Sequence, residues 1–205
     1  MVRRTLSILL ITSLVFILPS FYKMLIAQVS GYPSLSREDR GRIAQVTSLE
    51  DVDLNDYNAF IKEDELFRHS LYIQKLEPKE YRHISVFSTL EYIGNNDSIT
   101  IWSGRPYYGY SIVDSNSVYY VMTTILTELT STVIAKGEVI VLPFINGRGY
   151  SNNDPKALYW EMAGKDEYLR LPIGKYKLTT GLYFSLSMDS DEYDNEITID
   201  IHVTK

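Results

Sequence analysis

The sequence predicts an all-β domain, an antiparallel sandwich of about eight or nine strands, preceded by an apolar N-terminal segment and one short helix. Three observations lead to this class. Segments rich in Val, Ile, Thr and Tyr recur between clusters of turn-forming residues. No helical pattern separates these segments, as it would in a parallel sheet built from βαβ units. The last segment alternates apolar and polar residues like a half-buried strand, its apolar positions being Ile197, Ile199, Ile201 and Val203.

Residues 1–30 have a basic head and an apolar run. Arg3 and Arg4 precede the stretch from Thr5 to Tyr22, which carries no charge, and residues 1–30 contain no acid. This layout is typical of a signal peptide or a signal anchor. Because no suitable pair of small residues marks a cleavage site after the run, the sequence favours an uncleaved anchor. We expect a single-pass membrane protein with its C-terminal domain outside the cell, or otherwise a secreted protein.

Residues 31–65 are expected to form a tether and a short helix. The first part is polar and is interrupted by Gly31, Pro33 and Gly41, as flexible tethers are. Ser48 then precedes apolar residues at helical spacing, which are Leu54, Tyr57, Phe60 and Ile61. This pattern predicts one amphipathic helix that begins after Ser48 and ends near Asp64. The sandwich domain is predicted over residues 66–205.

The predicted strands are connected by turns of recognisable composition. Lys136-Gly137 separates two strand-like segments, residues 128–135 and 138–144, and predicts a hairpin. Residues 146–155 are rich in Gly and Asn and contain a Pro, so they are expected to form the longest loop of the domain. Long segments over residues 175–186 and 196–203 complete the predicted sheet structure.

Composition excludes several classes of function. Acidic residues outnumber basic ones, 26 to 20, for a net charge of −6, which argues against a nucleic-acid partner because phosphate binding needs concentrated Lys and Arg. The chain has no cysteine, so disulfides, thiolate metal sites and thiol nucleophiles are all excluded. An exported domain of this size without disulfides favours a bacterial protein.

The second half of the chain contains a series of short motifs. Lys136-Gly137-Glu138 is followed by Trp160 and then by Leu171-Pro172-Ile173-Gly174-Lys175-Tyr176. This layout resembles that of bacterial immunoglobulin-like sandwiches, and most closely the group that includes the intracellular proteinase inhibitor of bacilli, over residues 80–205. The resemblance implies an immunoglobulin-like fold, and it makes an exported proteinase inhibitor the alternative function. Ile173 departs from the pattern, which commonly has a second proline there.

The same motif has a physical interpretation of its own. Pro172 presets a turn, Gly174 can adopt a positive φ, and Tyr176 begins a strand with its ring over the end of the sandwich.

Signatures of catalysis are missing from the sequence. The chain has three histidines, His69, His83 and His202, but it has no Gly-x-Ser-x-Gly motif that would place a nucleophilic serine near one of them. His202 falls on the polar face of the last strand. The 26 acids allow many carboxylate pairs of the kind that glycoside hydrolases use, and nothing singles one out. We therefore expect no enzymatic activity, with a carbohydrate-active hydrolase as the third alternative.

Tyrosines are the first candidate binding residues, since the chain has 17 of them. Tyr107, Tyr108 and Tyr110 follow a Gly-Arg-Pro turn, and the loop over residues 146–155 adds Arg148 and Tyr150. Exposed tyrosines form rigid amphipathic contact surfaces and can stack on sugars. The alternative is that these aromatic side chains only cover a pleated, half-buried surface.

An acidic segment is the second candidate. Residues 189–196 contain five acids, and a calcium ion could be bound by Asp189, Asp191, Asp194 and Glu196. The segment departs from an EF-hand loop, because Tyr193 and Asp194 occupy its fifth and sixth positions. The alternative is a solvated hairpin tip whose charges prevent edge pairing. The expected function is a membrane-tethered or secreted binding module without catalytic activity or a resident cofactor, whose partner is a protein or the cell wall.

Overall fold

A computed structural model of the chain describes residues 46–75, 78, 82–115, 119–123, 126–145, 169–188, 190 and 192–205. The chain divides into two compact units, Met1–Arg42 and Ile43–Lys205, and the described residues all belong to the second. The predicted signal segment over residues 1–30 and most of the predicted tether lie outside the described residues. None of the helices described is long and apolar enough to cross a membrane.

The described residues form two short 3-10 turns and ten strands. The turns cover Leu49–Asp51 and Leu54–Asp56. The strands are β1 (Tyr57–Glu63), β2 (Phe67–Gln74), β3 (Val86–Tyr92), β4 (Ser98–Arg105), β5 (Tyr108–Asp114), β6 (Tyr119–Met122), β7 (Leu126–Ala135), β8 (Val139–Pro143), β9 (Gly174–Ser185) and β10 (Glu192–Val203).

These strands pair into two antiparallel sheets. Sheet 1 has the order β1-β2-β3-β8, and sheet 2 has the order β6-β5-β9-β4-β7, with β10 along the other side of β9. The core lies between the sheets, and burial of each large apolar side chain in it contributes on the order of 1.5–3 kcal/mol. Its central cluster draws equally on both sheets: Phe67, Leu90, Tyr92 and Leu142 from sheet 1, and Ile101, Ile134, Leu182 and Phe184 from sheet 2. The prediction of an all-β antiparallel sandwich is confirmed.

Polar bonds also cross the core. The hydroxyl group of Tyr110 in sheet 2 lies 2.9 Å from Ser88 Oγ in sheet 1 and donates to the carbonyl oxygen of Leu142 at 2.7 Å. Ser88 Oγ lies in turn 3.2 Å from Thr180 Oγ1 of sheet 2. The side chains of Tyr110, Ser88 and Thr180 are buried, and each of these three hydroxyl groups has a partner that offsets its loss of water.

The predicted helix before residue 64 is wrong. Ser48 and Asp53 each cap only a single 3-10 turn, and from Tyr57 the chain is extended. β1 pairs with β2 along its whole length, from Tyr57 opposite Gln74 to Glu63 opposite Arg68. The sequence pattern failed because it contains no information about this partner strand, whose ladder overrides a weak helical periodicity.

The predicted hairpin at Lys136-Gly137 is also wrong. β7 pairs with β4 in sheet 2, whereas β8 pairs with β3 in sheet 1. Gly137 adopts a φ of 75°, and its N–H donates to the carbonyl oxygen of Tyr92 at 2.9 Å. The turn therefore carries the chain from one sheet to the other instead of reversing it within a sheet.

Tyr176 closes the start of β9. Its hydroxyl group donates to the carbonyl oxygen of Pro172 at 3.0 Å, and the side chain is buried. The ring lies over Gly174, where a Cβ atom would come within 3.1 Å of ring carbon Cε2. Gly174 does not have the positive φ that the motif allows, and its missing side chain leaves space for the Tyr176 ring, which a Cβ atom would displace slightly.

Candidate functional site

The outer face of sheet 2 is built from alternate residues of β9 and β10. The alternation predicted for the last strand is confirmed, because Ile197, Ile199, Ile201 and Val203 are buried while the residues between them are exposed. The register places polar residues opposite one another on the outer face: Lys175 and His202, Lys177 and Asp200, Thr179 and Thr198, Gly181 and Glu196, Tyr183 and Asp194. This face is therefore polar, and the part of it nearest the end of β9 is acidic.

Two glycines on neighbouring strands form a depression in this face. Gly109 of β5 lies directly opposite Gly181 of β9. A Cβ atom on Gly181 would overlap the hydroxyl oxygen of Tyr183, and one on Gly109 would lie 3.3 Å from ring carbon Cε2 of Tyr183. The Tyr183 ring thus lies across the two glycines, which accommodate it because they have no side chain.

A hydrogen bond holds this ring in place. The Tyr183 hydroxyl group donates to Glu196 Oε1 at 3.0 Å, across the β9–β10 ladder. Burial of the hydroxyl group, together with the Glu196 carboxylate beside it, raises the pKa of Tyr183 above its ordinary value. Tyr183 therefore remains neutral at physiological pH, and its side chain is partly exposed. The orientation of its ring is fixed by the hydrogen bond to Glu196 and by the close approach to the two glycines.

A second aromatic side chain lies on the same face. Trp102 of β4 is directly opposite Ser185 of β9. Ser185 is two residues after Tyr183 and lies on the same face, so Trp102 shares that face with Tyr183. Its neighbour Ile101 points the other way, into the core. Trp102 is half-buried, so part of the indole is accessible.

Hydroxyl and charged groups continue along the same face, from Tyr183 toward the start of β9. Thr179 Oγ1 and Thr198 Oγ1 lie 2.8 Å apart, and Lys177 Nζ lies 3.0 Å from Asp200 Oδ1. Beyond them, at the end of the sheet, is a surface depression of about 550 Å³ whose charged lining includes Asp114, Lys175 and His202. The prediction that His202 lies on the polar face of its strand is confirmed by its exposure.

The tyrosines singled out in the sequence occupy another part of the molecule. Tyr110 is buried, and its hydroxyl group is engaged in the bonds that cross the core. Tyr107 and Tyr108 pack against the central cluster and remain half-buried. Burial raises the pKa of both Tyr107 and Tyr108 to about 12. Of the three, only Tyr107 and Tyr108 have surface that a ligand could contact.

Other predicted site residues are only partly described. Arg148, Tyr150, Asp189 and Asp191 lie outside the described residues. Asp194 and Glu196 are exposed and belong to β10, which begins at Glu192, rather than to a loop. Across the described ranges, no group of three or more His, Asp or Glu side chains is arranged to hold a metal ion. Calcium binding by the full set of four acids stays a prediction.

A buried histidine forms part of a polar chain between the two sheets. His69 Nδ1 lies 3.2 Å from Asn195 Oδ1, and Asn195 Nδ2 donates to the Tyr193 hydroxyl group at 3.1 Å. That hydroxyl group donates to Asp64 Oδ2 at 2.6 Å. Burial lowers the pKa of His69 to about 4, so the imidazole is neutral at physiological pH. This series of hydrogen bonds connects Asp64, in the β1–β2 turn, to β10.

Sequence reasoning missed Tyr183, Trp102 and the two glycines. A signal for part of this surface was present, because Gly181 and Tyr183 are two residues apart and must share a face in any strand. What the sequence did not contain was the register that brings Gly109 beside Gly181 and Trp102 beside Ser185.

Comparison with known proteins provides little further information. No protein-family model and no curated protein matches the sequence. Among solved structures, the chain is similar to a protein from Archaeoglobus fulgidus at 12% sequence identity. That similarity covers 73% of this chain and 94% of the other, with a TM-score of 0.28.

Proposed function

We propose that this protein is a non-enzymatic, extracytoplasmic binding module whose outer sheet 2 face binds a polysaccharide of the cell wall. The observation that carries the proposal is the Tyr183 ring, which lies over Gly181 and Gly109 and is fixed by its bond to Glu196. Aromatic rings offer an apolar face to the C–H groups of a sugar, while polar neighbours bind its hydroxyl groups.

Preorganisation of the aromatic ring favours binding. A tyrosine that is free in solution loses rotamer freedom when a ligand immobilises it, at a cost of about 0.5–1.5 kcal/mol. The Glu196 bond and the glycine depression restrict Tyr183 before any ligand arrives. The ring therefore offers contact area at little further entropic cost.

The polar groups around the ring match a neutral, hydroxyl-rich ligand. Glu192, Asp194 and Glu196 are exposed on this face, and their carboxylates accept hydrogen bonds from sugar hydroxyl groups. The same charges repel phosphate, so nucleic acids and teichoic-type phosphate polymers are disfavoured. Thr179 and Thr198 add hydroxyl groups that can both donate and accept.

The proposal places the domain outside the cell and groups it with immunoglobulin-like sandwiches. Export and membrane attachment are supported by Arg3 and Arg4 before the uncharged run in residues 1–30. The immunoglobulin-like grouping is supported by the Tyr176 hydroxyl bond to the carbonyl oxygen of Pro172, an arrangement similar to the tyrosine corner of such domains.

The absence of catalysis is part of the proposal. His69 is enclosed in the core by its contact with Asn195, and His202 is exposed on a sheet surface opposite Lys175. Among the described residues, neither of these two imidazoles is hydrogen-bonded to a serine or threonine hydroxyl group, which activation of a nucleophile by a catalytic triad requires.

Co-sedimentation with insoluble polymers tests this function. The full chain in detergent micelles is incubated with peptidoglycan sacculi, chitin or cellulose, and the polymer is pelleted. We expect at least one polymer to deplete the wild-type protein and Tyr183→Ala or Trp102→Ala to abolish most of that depletion. Val139→Ala, at an exposed apolar residue of sheet 1, is the matched control and should bind normally. Failure of all three polymers to bind, or equal retention of Tyr183→Ala, would refute the proposal.

A further inference from the structure

Strand β1 is an edge strand that none of the other described strands covers. It is the outermost strand of sheet 1, and every residue after Tyr57 is exposed. The side chains of Phe60 and Ile61, which point to opposite faces, are 39% and 59% exposed. A long edge strand with apolar side chains on both faces is a template for pairing with another strand.

The hydrogen bonds of β1 show which of its backbone groups remain for a new partner. The N–H of Asp64 donates to the carbonyl oxygen of Phe67 at 3.0 Å, and the N–H of Lys75 donates to that of Asp56 at 2.8 Å. In an antiparallel pair, bonded residues alternate, so the even-numbered residues of β1 face β2. The odd-numbered residues Tyr57, Ala59 and Ile61 therefore direct their N–H and C=O groups away from the domain.

The four other edge strands are less suited to self-pairing, and β6 is the shortest of them, with four residues. β10 carries exposed acids at alternate positions, and two copies would bring carboxylates together. β8 ends in Pro143, which lacks an N–H. β7 has exposed apolar residues, but Glu128 is its single charged residue, so a self-pair there would gain no opposite charges.

We propose that two copies of this chain associate through β1, antiparallel about a two-fold axis at Ala59, so that their two copies of sheet 1 become one continuous sheet. This register pairs Ala59 with the partner's Ala59 and Ile61 with the partner's Tyr57. It makes about six new main-chain hydrogen bonds, two for each pair of outward-facing residues. The proposal is independent of the polysaccharide site, which lies on sheet 2.

Charge selects this register over its neighbours. With the axis at Ala59, Lys62 lies opposite the partner's Asp56, and this attraction occurs twice in the dimer. An axis at Phe60 would place Asp64 opposite the partner's Asp56, a repulsive pair of carboxylates. An axis at Ile61 would place Lys62 opposite the partner's Phe60.

Within β1 itself, the one other charged residue does not oppose the arrangement, whereas beyond the strand Glu65 would lie opposite the partner's Asp53. Glu63 is already paired with Arg68 at 2.7 Å. The Lys62 ammonium group contacts only the carbonyl oxygen of Glu196 at 3.4 Å among the bonds described, which is a weak bond that an incoming carboxylate can replace.

Site-specific disulfide trapping tests the register directly, because the natural chain has no cysteine to interfere. In the full chain, Ala59→Cys places two cysteines across the axis at the spacing of a hydrogen-bonded antiparallel pair, about 5.5 Å between Cα atoms, which a disulfide can bridge. We expect rapid formation of a covalent dimer under mild oxidation. Glu63→Cys, on the same face of the strand but remote from its own copy, is the matched control and should remain monomeric. Equal cross-linking of both variants, or of neither, overturns the proposal.

A charge exchange provides a second test that does not depend on thiol reactivity. Lys62→Asp and Asp56→Lys should each weaken dimerisation by about tenfold in analytical ultracentrifugation, since each creates like-charge pairs across the axis. The double variant Lys62→Asp/Asp56→Lys should restore the wild-type dimer. A monomeric wild-type protein, or a double variant that is no better than the singles, contradicts the proposed interface.

Discussion

The hydroxyl group of Tyr110 donates a 2.7 Å hydrogen bond to the main-chain carbonyl oxygen of Leu142, and this bond joins sheet 2 to sheet 1 in the middle of the core. Its removal should destabilise the fold without changing it. Tyr110→Phe is expected to lower the free energy of unfolding by about 1–2 kcal/mol, because buried acceptors lose a donor and gain no water. Urea denaturation followed by tryptophan fluorescence measures the difference. Tyr107→Phe, at a half-buried ring, is the control and should change stability by less than about 0.5 kcal/mol.

The turn that passes the chain between the sheets requires glycine at position 137. Gly137 has a φ of 75°, and no heavy atom lies within 4 Å of where its Cβ atom would be. Gly137→Ala should therefore cost about 1 kcal/mol through backbone strain alone. Gly137→Asn should cost less, since asparagine tolerates this conformation better. An alanine variant as stable as wild type in thermal unfolding would show that the turn has another conformation.

The buried imidazole of His69 should make stability depend on pH. Its pKa is about 4 in the folded protein and 6.5 in its ordinary state, so the unfolded chain binds a proton more readily. The contribution of the neutral imidazole is complete above pH 6.5 and is lost as pH falls toward 4, by about 3 kcal/mol in total.

Urea titrations between pH 7.5 and 4.5 measure this dependence. Burial also lowers the pKa of His83 to about 4, so part of the slope belongs to that residue. We expect His69→Gln to be less stable at pH 7.5 and to lose less stability on acidification than wild type. Parallel curves for the two proteins would rule out a contribution from His69.

The depression beneath Tyr183 should be as important for binding as the ring itself. Gly181→Ala places a methyl group where the Tyr183 hydroxyl oxygen lies, so the ring must move and its bond to Glu196 must break. We expect retention on the polysaccharide to fall about tenfold, while the far-ultraviolet circular dichroism spectrum stays unchanged. Gly137→Ala introduces the same methyl group away from this face and should bind like wild type.

Long, regular strands were predicted well because their patterns are local. The alternation in residues 196–203 identified the inner and outer faces of β10, since a period of two fixes the side on which each residue lies. The failures have a common cause. Residues Tyr57–Glu63 and the turn at Gly137 were assigned from their own composition, whereas their conformations depend on β2 and β3, which are distant in the sequence.

The candidate site shows the same dependence on register. Tyr107, Tyr108 and Tyr110 attracted attention as a cluster, yet Tyr110 belongs to the core. Tyr183 and Trp102 become neighbours only because β9 pairs with β4 at Ser185 and with β5 at Gly181. No property of residues near position 102 indicates which strand will lie beside it.

The turn at Gly137, which passes the chain from sheet 2 to sheet 1, also sets the order in which the two sheets can be completed. β3 has β2 as one partner, but its other partner, β8, follows much later, with Glu91 opposite Val139. A chain that is synthesised from its N-terminus therefore presents β1, β2 and β3 before their sheet can be finished. During that interval the open side of β3, which is buried in the native sheet, is available to any other extended segment. Pairing of such a segment with β3 in place of β8 would block completion of sheet 1 and favour misfolding.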